Sequence, residues 1–266
     1  MNSSKFNAEK ERQEKYSWER SLFYENYSKI LGYYQALSVI ENAKKGSLLD
    51  LACGDGTITQ HFLDSFENIV GIDASLTHLT KAKTRVPSVD FHESLIESFE
   101  SEYKFDTVTM LNLLEHVDDP VAILNKSASF LNDGGRLIVH VPNAEAMNRK
   151  IAVKMGTLSH LEELSPFDID IAGHRRSYTM ESFLETIENA QLKVINTGGV
   201  FYKMLSMAQM DWFLKNGLWD KGEFGWGRVG EQKSRNWKED FCRACYEIGK
   251  DYPKECNVIY AVIVKG

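Results

Sequence analysis

The 266-residue sequence has no apolar run approaching the roughly 18 residues that span a bilayer. Its opening is polar and charged, not signal-like. A cytoplasmic protein without a membrane partner is therefore expected. Positive charge is not in excess: 31 Lys and Arg against 38 Asp and Glu give a formal charge of −7. That balance argues against nucleic acid as a partner, although a basic patch at one cleft stays compatible with it. Cysteine is scarce, and four residues suit reduced thiols better than a disulfide scaffold. Cys242 and Cys245 form a C-x-x-C, but the surrounding stretch 237–250 has the pattern of an amphipathic helix. It has no second pair at zinc spacing, and Cys256 adds only a third thiol, so structural thiols and no metal are expected. Internal repeats and long low-complexity linkers are absent. What is present is 43% apolar and 26% charged residues, enough for one sizeable core and a small appended subdomain.

Residues 1–45 are helical in pattern and rich in rings. Ile30, Tyr34, Leu37 and Ile40 recur at helical spacing and should pack on the body. The earlier rings near Tyr16 and Trp18 suit a lid, with Tyr16 as a candidate substrate contact. From Gly46 the pattern alternates. Apolar runs at 47–51, 69–72, 89–92, 107–111 and 136–141 predict buried strands, with helices at 57–65, 76–84 and 120–131. Such alternation predicts a parallel sheet covered on both faces, with ligands beyond the carboxyl ends of its strands. Segment 143–178 breaks the rhythm. A helix then starts near Thr179, a suitable N-cap, and strands follow at 192–197, continuing towards 202, and at 257–264. The core is thus assigned to 46–202 and 257–266, and the insertions 143–178 and 203–256 to a substrate cap. Trp212, Trp219, Trp226 and Trp237 in the second insertion suit a small helical core. With Gly222, Gly225, Gly227 and Gly230 they equally suit a ring-lined pocket.

The strongest local signal is Leu48-Leu49-Asp50-Leu51-Ala52-Cys53-Gly54-Asp55-Gly56-Thr57. A hydrophobic strand ends in a turn built on Gly54 and Gly56. Glycine accepts positive φ and lets a ligand approach without meeting a Cβ. The next strand ends at Asp73, where a carboxylate can accept hydrogen bonds from both hydroxyls of a ribose. A dinucleotide fingerprint would need a third glycine where Thr59 stands. Asp50 and Asp55 would also repel a pyrophosphate, whereas they suit the ammonium and sulfonium of S-adenosylmethionine.

On these residues the sequence resembles the class I S-adenosylmethionine-dependent methyltransferases, especially the small-molecule branch of ubiquinone-type and sugar methyltransferases. Asp50 to Gly56 looks like that family's D-x-G-C-G-x-G, with Ala52 in place of one glycine. Phe105-Asp106 through Leu114-Glu115-His116-Val117 is similar to its F-D-x-V…L-E-H-V, and Leu131 to Leu137 to its L-x-P-G-G-x-L. The resemblance implies an α/β fold: a doubly wound, Rossmann-like seven-stranded sheet, mostly parallel with an antiparallel C-terminal strand, plus helical cap segments. It implies S-adenosyl-L-methionine as cofactor, held by Asp50, Ala52, Gly54, Gly56, Asp73, Ala74, Glu93, Ser94, Leu111 and Asn112.

Methyl transfer needs an aligned nucleophile, and a hydroxyl nucleophile benefits from a base. His116 follows the fourth strand at the expected edge and is one candidate; a structural role at a helix start is the other reading. His140 lies in an apolar strand and reads as core. His174 precedes a helix in Gly173-His174-Arg175-Arg176-Ser177-Tyr178-Thr179. If extended, this segment places His174, Arg176 and Tyr178 on one face: a base, a guanidinium and a phenol for an oxygen-rich or anionic acceptor. A structural clamp is the alternative. Asp118-Asp119 reads as a turn. The expected activity is methylation of a hydroxyl or amine on a small polar metabolite, such as a sugar or nucleotide sugar. An NAD-dependent oxidoreductase and a non-catalytic cofactor-binding module are the competing readings. RNA methylation is disfavoured by charge and by the missing N-P-P-Y-like tetrapeptide.

Overall fold

A computed structural model of the chain describes residues 8, 11, 25–217, 219 and 236–266. Among them, seven strands form one sheet in the order β3-β2-β1-β4-β5-β7-β6. The strands are β1 (Ser47–Leu51), β2 (Asn68–Asp73), β3 (Asp90–Glu93), β4 (Phe105–Leu111), β5 (Leu131–Pro142), β6 (Lys193–Tyr202) and β7 (Cys256–Val264). β1 to β5 pair in parallel, whereas β7 runs antiparallel between β5 and β6. Two antiparallel steps leave β6 pointing the same way as β5. Its carboxyl end therefore shares an edge with those of β1 to β5.

Alternation within the strands sorts side chains to two faces. Leu49, Leu51, Val108, Met110 and Val139 pack on one face with helices α3 (Pro120–Ser129) and α5 (Met180–Asn189). Leu48, Ile138 and Val262 pack on the other with Ala36 and Val39 of α1 (Glu25–Asn42) and with Phe62. Helix α2 (Leu76–Arg85) covers β2 and β3 through Leu79, Ala82 and Phe91. Helix starts follow local chemistry: Ser75, Asp119 and Thr179 each accept a backbone N–H at a helix N-terminus. Asp119 of the expected turn is thus the cap of α3.

Two expectations are corrected. The helix expected at 57–65 is a tight 3₁₀ turn, Thr59–Phe62. Thr57, Ile58 and Thr59 are β-branched and poor helix formers, and Thr59 donates its hydroxyl to Asp50 at 2.7 Å. The fifth strand begins at Leu131 and not at 136, because the glycine turn is a bulge between the Phe105↔Leu131 and Thr107↔Arg136 pairs.

The segment 143–178 contains helix α4 (Met147–Lys154) and a π-helical turn, Phe167–Ala172. The described part of 203–256 consists chiefly of α6 (Met207–Asn216) and α7 (Trp237–Asp251). Met210, Leu214, Phe241, Cys242, Cys245 and Tyr246 form a second core with Tyr27, Leu31 and Tyr34 of α1. Helix α1 and this insertion therefore build a wall of the molecule together. Cys242 and Cys245 are free and buried in it. Trp219 packs against Phe213 and Phe241, while Trp212 is exposed. Tyr16, Trp18, Trp226 and the four glycines at 222–230 lie outside the described residues. No described helix is long and apolar enough to cross a membrane.

Candidate functional site

Strand order reverses between β1 and β4, and the carboxyl edge on either side of that point holds the residues singled out from sequence. Ala52, Gly54 and Gly56 follow β1; Asp73 and Ala74 end β2; Glu93 and Ser94 end β3; Leu111 and Asn112 end β4. The register brings Asp73 opposite Glu93 and Leu51 opposite both Ile72 and Met110. Nine residues from four segments thus meet along one row.

The backbone is strained along this edge. Ala52 (φ 57°), Asn112 (φ 56°) and Phe201 (φ 66°) occupy the left-handed region without being glycine. Such positions cost on the order of 1–3 kcal/mol each and concentrate at functional sites. Gly54 and Gly56 also have positive φ. A side chain at Gly56 would press on Ala82 and Val86 at 3.3 Å, so this glycine lets the turn sit against α2.

Asp73 organises the turn. Its Oδ2 accepts the Gly54 N–H at 2.9 Å and its Oδ1 accepts the Ser75 N–H at 2.8 Å. A carboxylate offers about four acceptor positions; His78 Nδ1 also stands 3.5 Å from Oδ1, so the position left for a polar ligand is on Oδ2. Asp50 has a different place. It is 2% exposed, with Oδ2 taken by the Thr59 hydroxyl and Oδ1 by that of Thr109 at 2.9 Å. Burial pushes its carboxyl up to about 6, against the lowering effect of the two hydroxyls. Asp50 therefore ties the turn to β4 from below. Asp55 turns aside to Arg85 at 3.1 Å. Asn112 exchanges hydrogen bonds with Gln35 of α1, which also reaches His140 at 3.3 Å. His140 is a core residue; burial drives its imidazole down to about 3.

Next to this edge stands a second group. His116 and His174 meet ring to ring, centroids 5.0 Å apart and edge-on. Glu115 lies beneath them, 1% exposed, with no hydrogen-bond partner for either oxygen, and burial pushes it up to about 8. Glu115, His116 and His174 each bring a ligand atom within 4.8 Å of the others, a set able to hold a divalent cation where the sequence suggested none. Burial holds His174 below the ordinary histidine range, opposed by Asp168, whose carboxylate lies 3.8 Å from Nδ1. A neutral imidazole can accept a proton.

Arg176 donates to the carbonyls of Leu114, Val117 and Asp118, so it clamps the loop that carries Glu115 and His116. Arg175 donates to the His116 carbonyl and pairs with Asp118. Tyr178 is 3% exposed and packs against Phe183. The expected alternation is not realised: Arg175 and Arg176 both donate to that loop, Arg176 as a clamp, and Tyr178 is buried beside it. An open groove of about 540 Å³ between Arg175, Arg176, Tyr178 and α5 has neither Gly54 nor Asp73 in its lining and is separate from the cofactor edge.

Sequence reasoning missed Arg149, Asp168 and Lys203. Arg149 pairs with Asp168 at 3.1 Å and also donates to the carbonyls of Leu161 and Glu163. Lys203 follows β6 and is 9% exposed. A cation just past the apolar run Val200-Phe201-Tyr202 was the available signal. It becomes informative only once β6 is known to share the carboxyl edge.

A family model described as a methyltransferase domain matches residues 22–197, more than half of the chain. A ubiquinone biosynthesis O-methyltransferase of Bradyrhizobium sp. (strain ORS 278) is 29% identical over 110 residues, 40% of this chain and 44% of that protein. One from Paracidovorax citrulli (strain AAC00-1) is 24% identical over 66% of this chain and 74% of that protein. The chain spans about half the length of the first curated relatives it matches. Among solved structures, a possible histamine N-methyltransferase from Thermotoga maritima shares the fold at a TM-score of 0.55. It is 14% identical and covers 93% of this chain and 97% of its own. Family match, sheet order and the residues along the carboxyl edge agree: the chain belongs to the class I S-adenosylmethionine-dependent methyltransferases.

Proposed function

We propose that this protein transfers the methyl group of S-adenosylmethionine to a hydroxyl or amine of a small polar molecule. The observation that carries the reading is the row of strand ends at β3-β2-β1-β4, strained at Ala52 and Asn112 and closed by the Asp73 carboxylate. Asp73 with its spare acceptor position suits the ribose hydroxyls, and the glycine turn suits the methionine moiety. The cofactor supplies a methyl carbon already activated by its sulfonium. The chain's own residues then have to orient the acceptor, exclude water and take up a proton.

His174 is the proposed base, with His116 beside it. Its imidazole is held neutral by burial, and Asp168 and His116 flank it. A positioned base typically contributes on the order of 10²–10⁴ in rate. The ubiquinone O-methyltransferase relatives support an oxygen acceptor; the ionisable side chains His116, His174 and Asp168 support a sugar-like or otherwise hydrophilic one. A second reading of the same three residues is a divalent cation on Glu115, His116 and His174, favoured by the Glu115 oxygens that lack a hydrogen-bond partner.

Methyl-labelled cofactor offered with a panel of sugars, nucleotide sugars and phenols tests the reading. Label should move to at least one acceptor, and His174→Ala should lower turnover about 100-fold or more with little change in cofactor affinity. Activity that survives EDTA supports the base; activity lost to EDTA and restored by a divalent ion supports the cation. Cofactor binding without transfer to any acceptor would instead indicate a binding module.

A further inference from the structure

Lys203 is a buried cation without a visible counter-ion. It is 9% exposed, and among the described residues its ammonium makes no hydrogen bond or ion pair. Only its backbone N–H is engaged, donating to the Glu255 carbonyl at 3.1 Å. Taking an ammonium out of water without a partner is costly. Burial accordingly lowers Lys203 to about 8; Arg149 lowers it further and Asp168 opposes both.

The surroundings say what is missing. Arg149 is committed to Asp168 and to two carbonyls, and Asp168 also takes the Ser165 hydroxyl and N–H. The Arg149 and Asp168 charges cancel, and so do those of the neighbouring Lys150–Glu255 and Lys254–Glu145 pairs. Lys203 thus leaves one uncompensated positive charge. Its place is just past the carboxyl end of β6, two positions after Phe201, whose φ is 66°. β5 and β7 separate β6 from β4, away from Asp73, and the charges that act on Lys203 are Arg149 and Asp168 of the 143–178 segment.

We propose that Lys203 forms an anion subsite of the acceptor pocket, and that the methyl acceptor is a monoanion whose carboxylate this ammonium binds. A single surplus charge matches a carboxylate better than a dianionic phosphate. The inference rests on the methyltransferase reading, because it takes the side of the molecule that carries His174 as the acceptor side. Lys203 fixes one end of the acceptor, and the methylated oxygen or nitrogen lies at the other, towards His174.

The test uses the full chain saturated with S-adenosylhomocysteine and titrated with benzoate, its neutral isostere benzamide, and phenyl phosphate. Benzoate should bind at least tenfold more tightly than benzamide and more tightly than phenyl phosphate. Lys203→Met should erase the preference for benzoate, Lys203→Arg should keep it, and both should bind S-adenosylhomocysteine as the wild type does. In buffer free of carboxylates, Lys203→Met should also melt higher than wild type, since an unpaired buried charge is replaced by an apolar chain of similar length. Equal binding of benzoate and benzamide, or of benzoate to wild type and Lys203→Met, overturns the proposal, as does absence of benzoate binding. A preference for phenyl phosphate overturns the monoanion. Failure of wild type to bind S-adenosylhomocysteine would count against the methyltransferase reading itself, which separates the two failures.

Discussion

Asp50 is a carboxylate held by two neutral hydroxyls in a dry place, and that arrangement has a pH signature. Its pKa rises from 3.8 to about 6 on folding, chiefly through burial. A raised folded value means that the folded chain binds the proton more tightly. The Asp50 contribution to stability is fully present below the lower value and is lost as pH rises through about 6. One proton accounts for about 1.4 kcal/mol per pH unit within that window. Urea unfolding of wild type and Asp50→Asn between pH 4.5 and 6 should therefore diverge, the wild type losing up to that slope relative to the variant. Parallel stability curves would contradict the assignment. The sequence makes the acidic residue ahead of the turn plain, but it points towards cofactor contact. The threonines that claim its oxygens come from Thr59, nearby, and Thr109, a strand away, and only the folded sheet joins them. The same holds for Arg149 and Asp168 of the 143–178 segment and Lys203 after β6, which only the fold brings together.

Among the elements, the strands were most legible, because β1 and β4 are buried along most of their length and β2 at its carboxyl end. The connection after β1 was least so. Its apolar Ile58 and Phe62 mimic a helical stripe, while three β-branched residues and the Asp50–Thr59 bond favour a tight turn. The loop between β4 and α3 shows a different limit. His174, Arg176 and Tyr178 were legible as a chemically equipped face, yet the Arg176 guanidinium is spent on three carbonyls of that loop. Lysine cannot reproduce the guanidinium fork. Arg176→Lys should cost about 1–3 kcal/mol in urea unfolding. It should also lower turnover more than S-adenosylhomocysteine affinity, because the loop carries Glu115 and His116. Unchanged stability with unchanged turnover would show that the clamp is dispensable.

At the scale of the whole molecule, the fold class and the cofactor edge were readable from sequence because they depend on local strand-turn-helix chemistry. Outside the matched motifs the elements at 180–202 and 237–264 were legible, but their packing partners were not. Residues 30–40 were expected to pack on the body and part of 203–256 to form a small helical core; the partner each would find was not legible, and it is the other, through Tyr27, Met210, Leu214 and Tyr246. Apolar periodicity marks a buried face but not what it is buried against. That second core still bears on the site, since Gln35 of α1 joins Asn112 and His140 at the ends of β4 and β5. The central claim is that the carboxyl edge of β3-β2-β1-β4 holds S-adenosylmethionine through Asp73. Calorimetric titration of the full chain with S-adenosylhomocysteine and with NAD tests it most directly. Saturable one-to-one binding of S-adenosylhomocysteine, no binding of NAD, and at least tenfold weaker binding in Asp73→Ala are predicted. Binding of NAD alone, or an Asp73→Ala variant with wild-type affinity for S-adenosylhomocysteine, would contradict it.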